Sequence, residues 1–523
     1  MIPLPADSSP RPPDGQRPPG GHQPADRHRR GDGRPRSRRR RSLLAGAAAA
    51  TLVVAACSSG SSDSTTGASQ KAAELPPCPL SALDSATQPV EVVVWHTQTA
   101  KPGETLKELA AEYNAKQSKV KISLESQGAD YQELQKKFNS AVPSRQLPGV
   151  VMVDDTFTQS MADSEVILPA QSCIEADRYD MAPFAKTAKD YYTIQGTLWP
   201  ASANLGNVLL FYNRDHFRKA GLDPDKPPAT LDEVRTYAEK IKAAGIADKP
   251  LVHEFASWKT EFWLTGARSS VVTNDNGRGS GTTDKAALVG NPQATELFEW
   301  FKGMQDAGLI EAIPATPGQI NQYLAMAQQK SSMLVDTSSA ATSIEAFLGG
   351  EQVDTGGAAG TDLNSVNVSG LDLTAGPFPV LENPGKTQVG GAAWYITNTT
   401  KPEVQAAAWD FLKFMNTPES QARMFTGGSF LPYNTAAADL PAMQTAFTAT
   451  LSGRWLKIAY DQVLAIDPSF PGPLIGPYDE FRQSVNSAQD QLMFNNKPPA
   501  EALQQAQTEI DSLLTRYNRE LGN

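Results

Sequence analysis

Asp154 and Asp155 stand together after the apolar run at residues 150–153, and paired carboxylates are the machinery of glycosidic hydrolysis. Neighbouring residues in a strand point to opposite faces, so these two do not make that pair unaided. They read instead as strand-end acids that take a ligand hydroxyl or face water. Other catalytic patterns fail on spacing. No serine has glycine both two residues before and two residues after it, which excludes a nucleophile elbow. Gly385, Lys386 and Thr387 imitate the end of a phosphate-binding loop, but Val380 sits where that loop needs its first glycine. His253 and Glu254 are followed by no second histidine on the same face, and beyond residue 56 the chain has only His96, His216 and His253, with no C-x-x-C pair. No transition-metal set follows, and no cofactor is expected. What remains is binding chemistry. Ligands that present apolar C–H faces and many hydroxyls are held by aromatic plates with a few placed polar groups.

The elements that must position such groups are legible in the apolar spacing. Residues 90–95 are a β-branched run, and 104–117 place Leu106, Leu109, Ala110 and Tyr113 at helical intervals. Residues 120–124 alternate as a strand, 131–142 read as a helix, and 150–153 as a third strand. This β-α-β-α-β order predicts an α/β fold with a mostly parallel sheet covered by helices. Ligands of such sheets sit beyond the carboxyl ends of the strands, which makes His96, Tyr131, Asp154 and Asp155 rim positions.

Residues 207–244 organise the rest. Val208 to Tyr212 is an apolar run suited to a strand buried on both faces, Gly221 follows a short helix, and Pro224, Pro227 and Pro228 forbid regular structure. Thr230 and Glu233 then form a T-x-x-E cap for a helix. Met333 to Val335 is another buried-type strand, Thr400 to Glu403 a second capping box, and two helices at 478–494 and 499–518 end the chain.

Leu210, Tyr212, Asn213, Arg214, Asp215, Phe217, Lys219, Ala220, Gly221, Leu222, Asp223, Pro224, Pro227, Pro228 and Thr230 together resemble the "L-x-Y-N-[KR]-D-x-[FL]-x-K-A-G-L-D-P-x-x-P-P-x-T" segment of the extracellular solute-binding proteins of ABC importers. The similar branch contains the maltose-, oligosaccharide- and glycerol-3-phosphate-binding proteins. The resemblance implies a two-lobed, periplasmic-binding-protein-like (type II) fold, each lobe a mostly parallel sheet flanked by helices, with the ligand cleft at the hinge. It implies a first lobe of residues 89–209 and 332–418 and a second of 210–331 and 419–523. Hinge strands are expected near 209–212, 333–336 and 415–427. The pocket groups implied are Asp130, Tyr131 and Gln132, then Trp258, Ser338 and Ser339, Gly390, Gly391 and Trp394, and Phe430. No reaction is expected, and the implied partners are a carbohydrate or polyol and the permease subunits of the importer, with the protein a monomer. A glycerol-3-phosphate or glycerophosphodiester binder is the alternative, and a secreted carbohydrate-active enzyme or an adhesive lipoprotein are others. The phosphate binders carry an arginine two residues before a glycine. Leu474 stands there, before Gly476, which favours an uncharged ligand unless Arg454, Arg482 or Lys259 substitutes; Lys259 reads as a peripheral charge beside Trp258.

Residues 1–41 are rich in Pro, Gly and Arg, and residues 43–56 are an apolar stretch too short to span a bilayer. A signal peptide over residues 1–56 is expected. Val54, Ala55, Ala56 and Cys57 resemble a lipobox, which implies lipidation of Cys57 and an extracytoplasmic protein anchored to the membrane, with residues 57–88 as a flexible tether. Residues 1–56 hold eleven arginines and four aspartates, so the remainder has 36 basic and 53 acidic residues, a formal charge of −17. Nucleic acid is therefore not an expected partner. Cys78 and Cys173 either form a disulfide, as oxidising conditions favour, or are two separately buried thiols.

Overall fold

The computed structural model describes residues 75–316, 319–353, 366–381 and 386–522. The expected signal peptide, Cys57 and most of the tether lie outside the described residues. No helix among the described residues is long and apolar enough to cross a membrane.

Thirteen strands occur among the described residues: β1 (Val90–His96), β2 (Val120–Ser126), β3 (Val150–Asp154), β4 (Ile167–Leu168), β5 (Thr193–Ile194), β6 (Thr197–Leu198), β7 (Ser202–Gly206), β8 (Val208–Asn213), β9 (Leu251–Phe255), β10 (Ile310–Pro314), β11 (Met333–Thr337), β12 (Leu373–Pro377) and β13 (Gly390–Thr397). β5 and β6 form a small hairpin. The others make two sheets, one ordered β2-β1-β3-β13-β4 with β7 also on β13, the other β10-β9-β11-β8-β12.

Both sheets are mixed. β1 runs parallel to β2 and β3, but β13 lies antiparallel to β3, β4 and β7. In the second sheet β9 is parallel to β10 and β11, while β8 is antiparallel to β11 and β12. Helical crossovers make the parallel pairs, and strands that re-enter from the other lobe make the antiparallel ones. β8 is buried at every residue, as its unbroken apolar run requires. The Thr230 hydroxyl accepts from the Glu233 N–H at 3.2 Å, while the Glu233 carboxylate reaches back to the Ala229 N–H at 2.7 Å. The expected cap at Thr400 is absent: the helix Pro402–Met415 starts on Lys401 without a side-chain cap, and Thr400 bonds back to Thr397.

The chain leaves the first sheet through β7 and enters the second through β8, with Asn207 between them. The expected return at residue 332 is corrected by the pairing of β11 and β12 with β8: both strands belong to the second sheet, and the chain returns only at β13. Residues 333–336 are therefore no crossing. The segment after 419 also begins on the first lobe, because the helix Pro418–Thr426 packs on the helix Ala100–Lys116; it reaches the second sheet with the helix Leu451–Leu464, which packs on β8 and β12.

Asn207 ties these crossings together. Its amide nitrogen donates to the Thr387 hydroxyl and the Gln388 carbonyl, each at 3.1 Å, and its side-chain oxygen accepts from Gln462 at 3.0 Å. Its backbone N–H donates to Ser338 Oγ at 3.1 Å. Buried polar groups keep a defined geometry when each finds a partner.

Cys78 and Cys173 are joined in a disulfide, 95 residues apart in sequence. It pins the start of the described chain to the first lobe. Replacing both by serine is expected to cost about 2–4 kcal/mol, because the bridge closes a long loop of the unfolded chain. A urea midpoint equal to that of the parent would show that the bridge contributes nothing.

Candidate functional site

A cavity of about 620 Å³ lies between the lobes, within the usual range for small-molecule pockets. The carboxyl ends of β1 and β3 form part of its rim through Thr97, Asp154 and Asp155, and the start of the helix Tyr131–Ala141 adds Asp130, Tyr131 and Gln132. Asp130 caps that helix, accepting from the Glu133 N–H at 2.9 Å. The second lobe brings Glu254 from β9, Trp258 from the helix Ser257–Gly266, Asp336 from β11, and Arg482 from the helix Tyr478–Phe494.

Of the residues named from sequence, Asp130, Tyr131, Gln132, Asp154, Asp155, Trp258, Ser339, Gly390, Gly391 and Phe430 line the cavity. Ser338 and Trp394 do not. Ser338 is fully buried with its hydroxyl engaged by Asn207, and Trp394 lies inside the first lobe, its indole N–H donating to Asn204 at 3.2 Å. β13 is a central strand with both faces covered, so a large side chain there enters the core. His96 is also buried and absent from the lining; its Nδ1 accepts from the Gln98 N–H at 3.1 Å, and burial pushes its pKa down to about 4. Leu474 is buried away from the cavity as well.

The glycines at 390 and 391 are required by close approach. Gly391 has φ +117°, and a Cβ there would stand 2.1 Å from the Asn204 carbonyl oxygen; at Gly390 it would stand 2.8 Å from the Phe262 ring. β13 can thus press against β7 at the mouth of the site.

Trp258 is half-buried, edge-on to Phe262 with ring centroids 6.1 Å apart. The Tyr131 hydroxyl accepts from Gln98 at 2.6 Å and also meets the Thr97 side chain, and burial together with Asp154 keeps the phenol neutral. Asp155 is buried, accepts from the Tyr191 hydroxyl at 2.7 Å, and has its pKa raised by burial and by Asp154.

The charges are paired before any ligand arrives. Arg482 donates through Nε and Nη2 to Glu261, each at 2.9 Å, and through Nη1 to Asp154 at 3.0 Å. Since Glu261 belongs to the second lobe and Asp154 to the first, this guanidinium spans the cleft. Lys259 is completely buried, 3.2 Å from both Glu254 and Asp336, at the carboxyl ends of the parallel strands β9 and β11. That corrects its reading as a peripheral charge. Among the described residues of the lining, Arg482 is the one cation, against five carboxylates at Asp130, Asp154, Asp155, Glu254 and Asp336.

Sequence reasoning named Arg482 only as a substitute cation and missed Glu254, Asp336 and Asn486 as lining residues. Asn486 accepts from the Ser257 N–H at 2.7 Å. It carries no local signal beyond its place on an amphipathic helix.

Residues 108–449 match the family model described as bacterial extracellular solute-binding protein. The chain belongs to that family. Among its relatives, the sn-glycerol-3-phosphate-binding periplasmic protein UgpB of Brucella abortus (strain 2308) is 28% identical over 355 residues, covering 66% of this chain and 75% of the relative. Of solved structures, the GacH receptor of Streptomyces glaucescens superposes with a TM-score of 0.65 at 16% identity, over 82% of this chain and 99% of that one. UgpB from Mycobacterium tuberculosis, solved with glycerophosphocholine, gives 0.64 at 17% identity, over 83% and 100%. The fold is thus the two-lobed type II binding-protein fold. The protein is an extracytoplasmic solute-binding component of an ABC importer, and not an enzyme.

Proposed function

We propose that this solute-binding protein captures an uncharged sugar, oligosaccharide or polyol. The observation that carries the reading is the charge of the lining: one guanidinium, with each of its three nitrogens already donating to a carboxylate, among five acids. A phosphate needs charge-assisted donors that survive burial, and here it would have to displace Asp154 from Arg482 while facing its neighbours. A neutral ligand meets hydroxyl, amide and carboxylate partners and the plate of Trp258.

A glycerol-3-phosphate or glycerophosphodiester ligand is the second reading, and the likeness to the glycerol-3-phosphate-binding protein of Brucella supports it. Calorimetry with neutral oligosaccharides, glycerol 3-phosphate and glycerophosphocholine separates the two. Sugar binding nearly insensitive to salt is expected, weakened about tenfold or more in Trp258→Ala through loss of the stacking plate. Tight binding of either phosphate compound with no response to any sugar would overturn the first reading.

Delivery follows by hinge closure: the ligand stabilises the closed pair of lobes, and the permease takes that form from a monomeric protein. Asn207, residues 386–389 and the connection into the helix Leu451–Leu464 would absorb the rotation. The lipobox-like Val54 to Cys57 supports tethering through lipid on Cys57. In that case Cys57→Ala releases the protein from the membrane fraction or leaves its leader uncleaved, whereas equal membrane retention of the mature-sized variant would refute the anchor.

A further inference from the structure

The cavity that holds the carboxylates has a second wall of different chemistry. Leu324, Ile344, Phe347, Leu348 and Leu371 all line it from the second lobe, each half-buried, with the buried ring of Phe211 among the deeper lining. Ile344, Phe347 and Leu348 fall at i, i+3 and i+4 of the helix Ala341–Leu348, so they form one stripe; Leu324 comes from the helix Asn321–Ala327 and Leu371 from the approach to β12.

Apart from the rings of Phe347 and Phe211 this wall is aliphatic, and an aliphatic surface offers hydroxyls nothing. A ligand polar on every side would either leave this wall wet or bury hydroxyls against it without partners, at a cost. Apolar side chains left half-open inside a ligand cavity mark the part of the ligand they cover. The wall and the acid-lined site open into the same cavity, so one ligand can cover both.

We infer that the cavity is built for an amphiphilic ligand, with a polyol head among Asp154, Asp155 and Trp258 and a short alkyl or aryl group against the Phe347 wall. This rests on the carbohydrate reading above and narrows it to glycosides that carry an apolar substituent.

The test is calorimetry on the full chain with glucose and maltose and with their methyl, butyl and hexyl glycosides, all below micelle-forming concentrations. Each methylene buried should tighten binding about fourfold, so hexyl glycosides, with five more methylenes than methyl ones, should bind roughly fiftyfold more tightly with three of them buried and about a thousandfold with all five. Phe347→Ser should remove most of that gain while leaving the affinity for the free sugar unchanged, and Phe347→Leu should retain it. Leu371→Ser serves the same purpose if the Phe347 variant does not fold, as its melting curve will tell. Binding of free sugars with no dependence on chain length would overturn this inference and leave the carbohydrate reading standing. No response to any sugar, free or alkylated, would overturn both. A chain-length gain that survives both serine variants would overturn the placement of the apolar group on this wall.

Discussion

Arg482→Met is expected to destabilise the protein by about 3–5 kcal/mol, the usual cost of removing one partner from a buried ion pair. The arginine side chain is 8% exposed and Glu261 only 2%, so water cannot replace the guanidinium. Glu261 would keep only the Tyr478 hydroxyl, 3.1 Å away, and Asp154 would lose its link to the second lobe. Urea denaturation should show the loss as a lower midpoint. Adding Glu261→Gln to Arg482→Met should recover part of it, because the stranded charge is then gone while the shape is kept. A loss below about 1 kcal/mol would mean that Glu261 is solvated or protonated at little cost, and the bridging role of Arg482 would fall.

Lys259→Met should have an effect of similar size for a related reason. The ammonium has no exposure, and its partners Glu254 and Asp336 are 13% and 3% exposed. Without it two carboxylates remain at neighbouring strand ends, Glu254 accepting from Gln319 at 2.8 Å and Asp336 from Gln322 at 3.3 Å and from the Thr337 N–H at 2.7 Å. Two near-buried acids of like charge repel, so about 3–5 kcal/mol is expected to be lost. Trp258→Ala, one residue away, should act in the opposite sense: a half-buried ring costs little stability, and its loss shows in affinity. Thermal melts and calorimetry on both variants check this contrast. A Lys259→Met protein as stable as the parent would refute the buried pair.

Much of this molecule is local and was legible as such. The apolar runs at 90–95, 150–153 and 208–212 became β1, β3 and β8: β3 and β8 are buried on both faces and read as unbroken apolar runs, while β1 announces itself by its β-branched residues. The Thr230 cap and the left-handed Gly221 follow from chemistry within a few residues. Asp154 and Asp155 reached the rim because strand ends in an α/β sheet do.

Only the tertiary structure decided which charges meet and which aromatic rings stay open. Arg482 lies 328 residues from Asp154 and 221 from Glu261, and Lys259 lies 77 from Asp336. A lysine beside a tryptophan reads as peripheral until the strands that cover it are placed. Trp258 and Trp394 are alike in sequence, but one starts a helix at the cleft and the other sits on a central strand, so one lines the cavity and the other fills the core. The lobe boundary behaves in the same way. Met333 to Val335 is a strand by its residues, but its sheet was settled by pairing with β8, because backbone hydrogen bonds across a sheet carry no signature in the side chains that precede them.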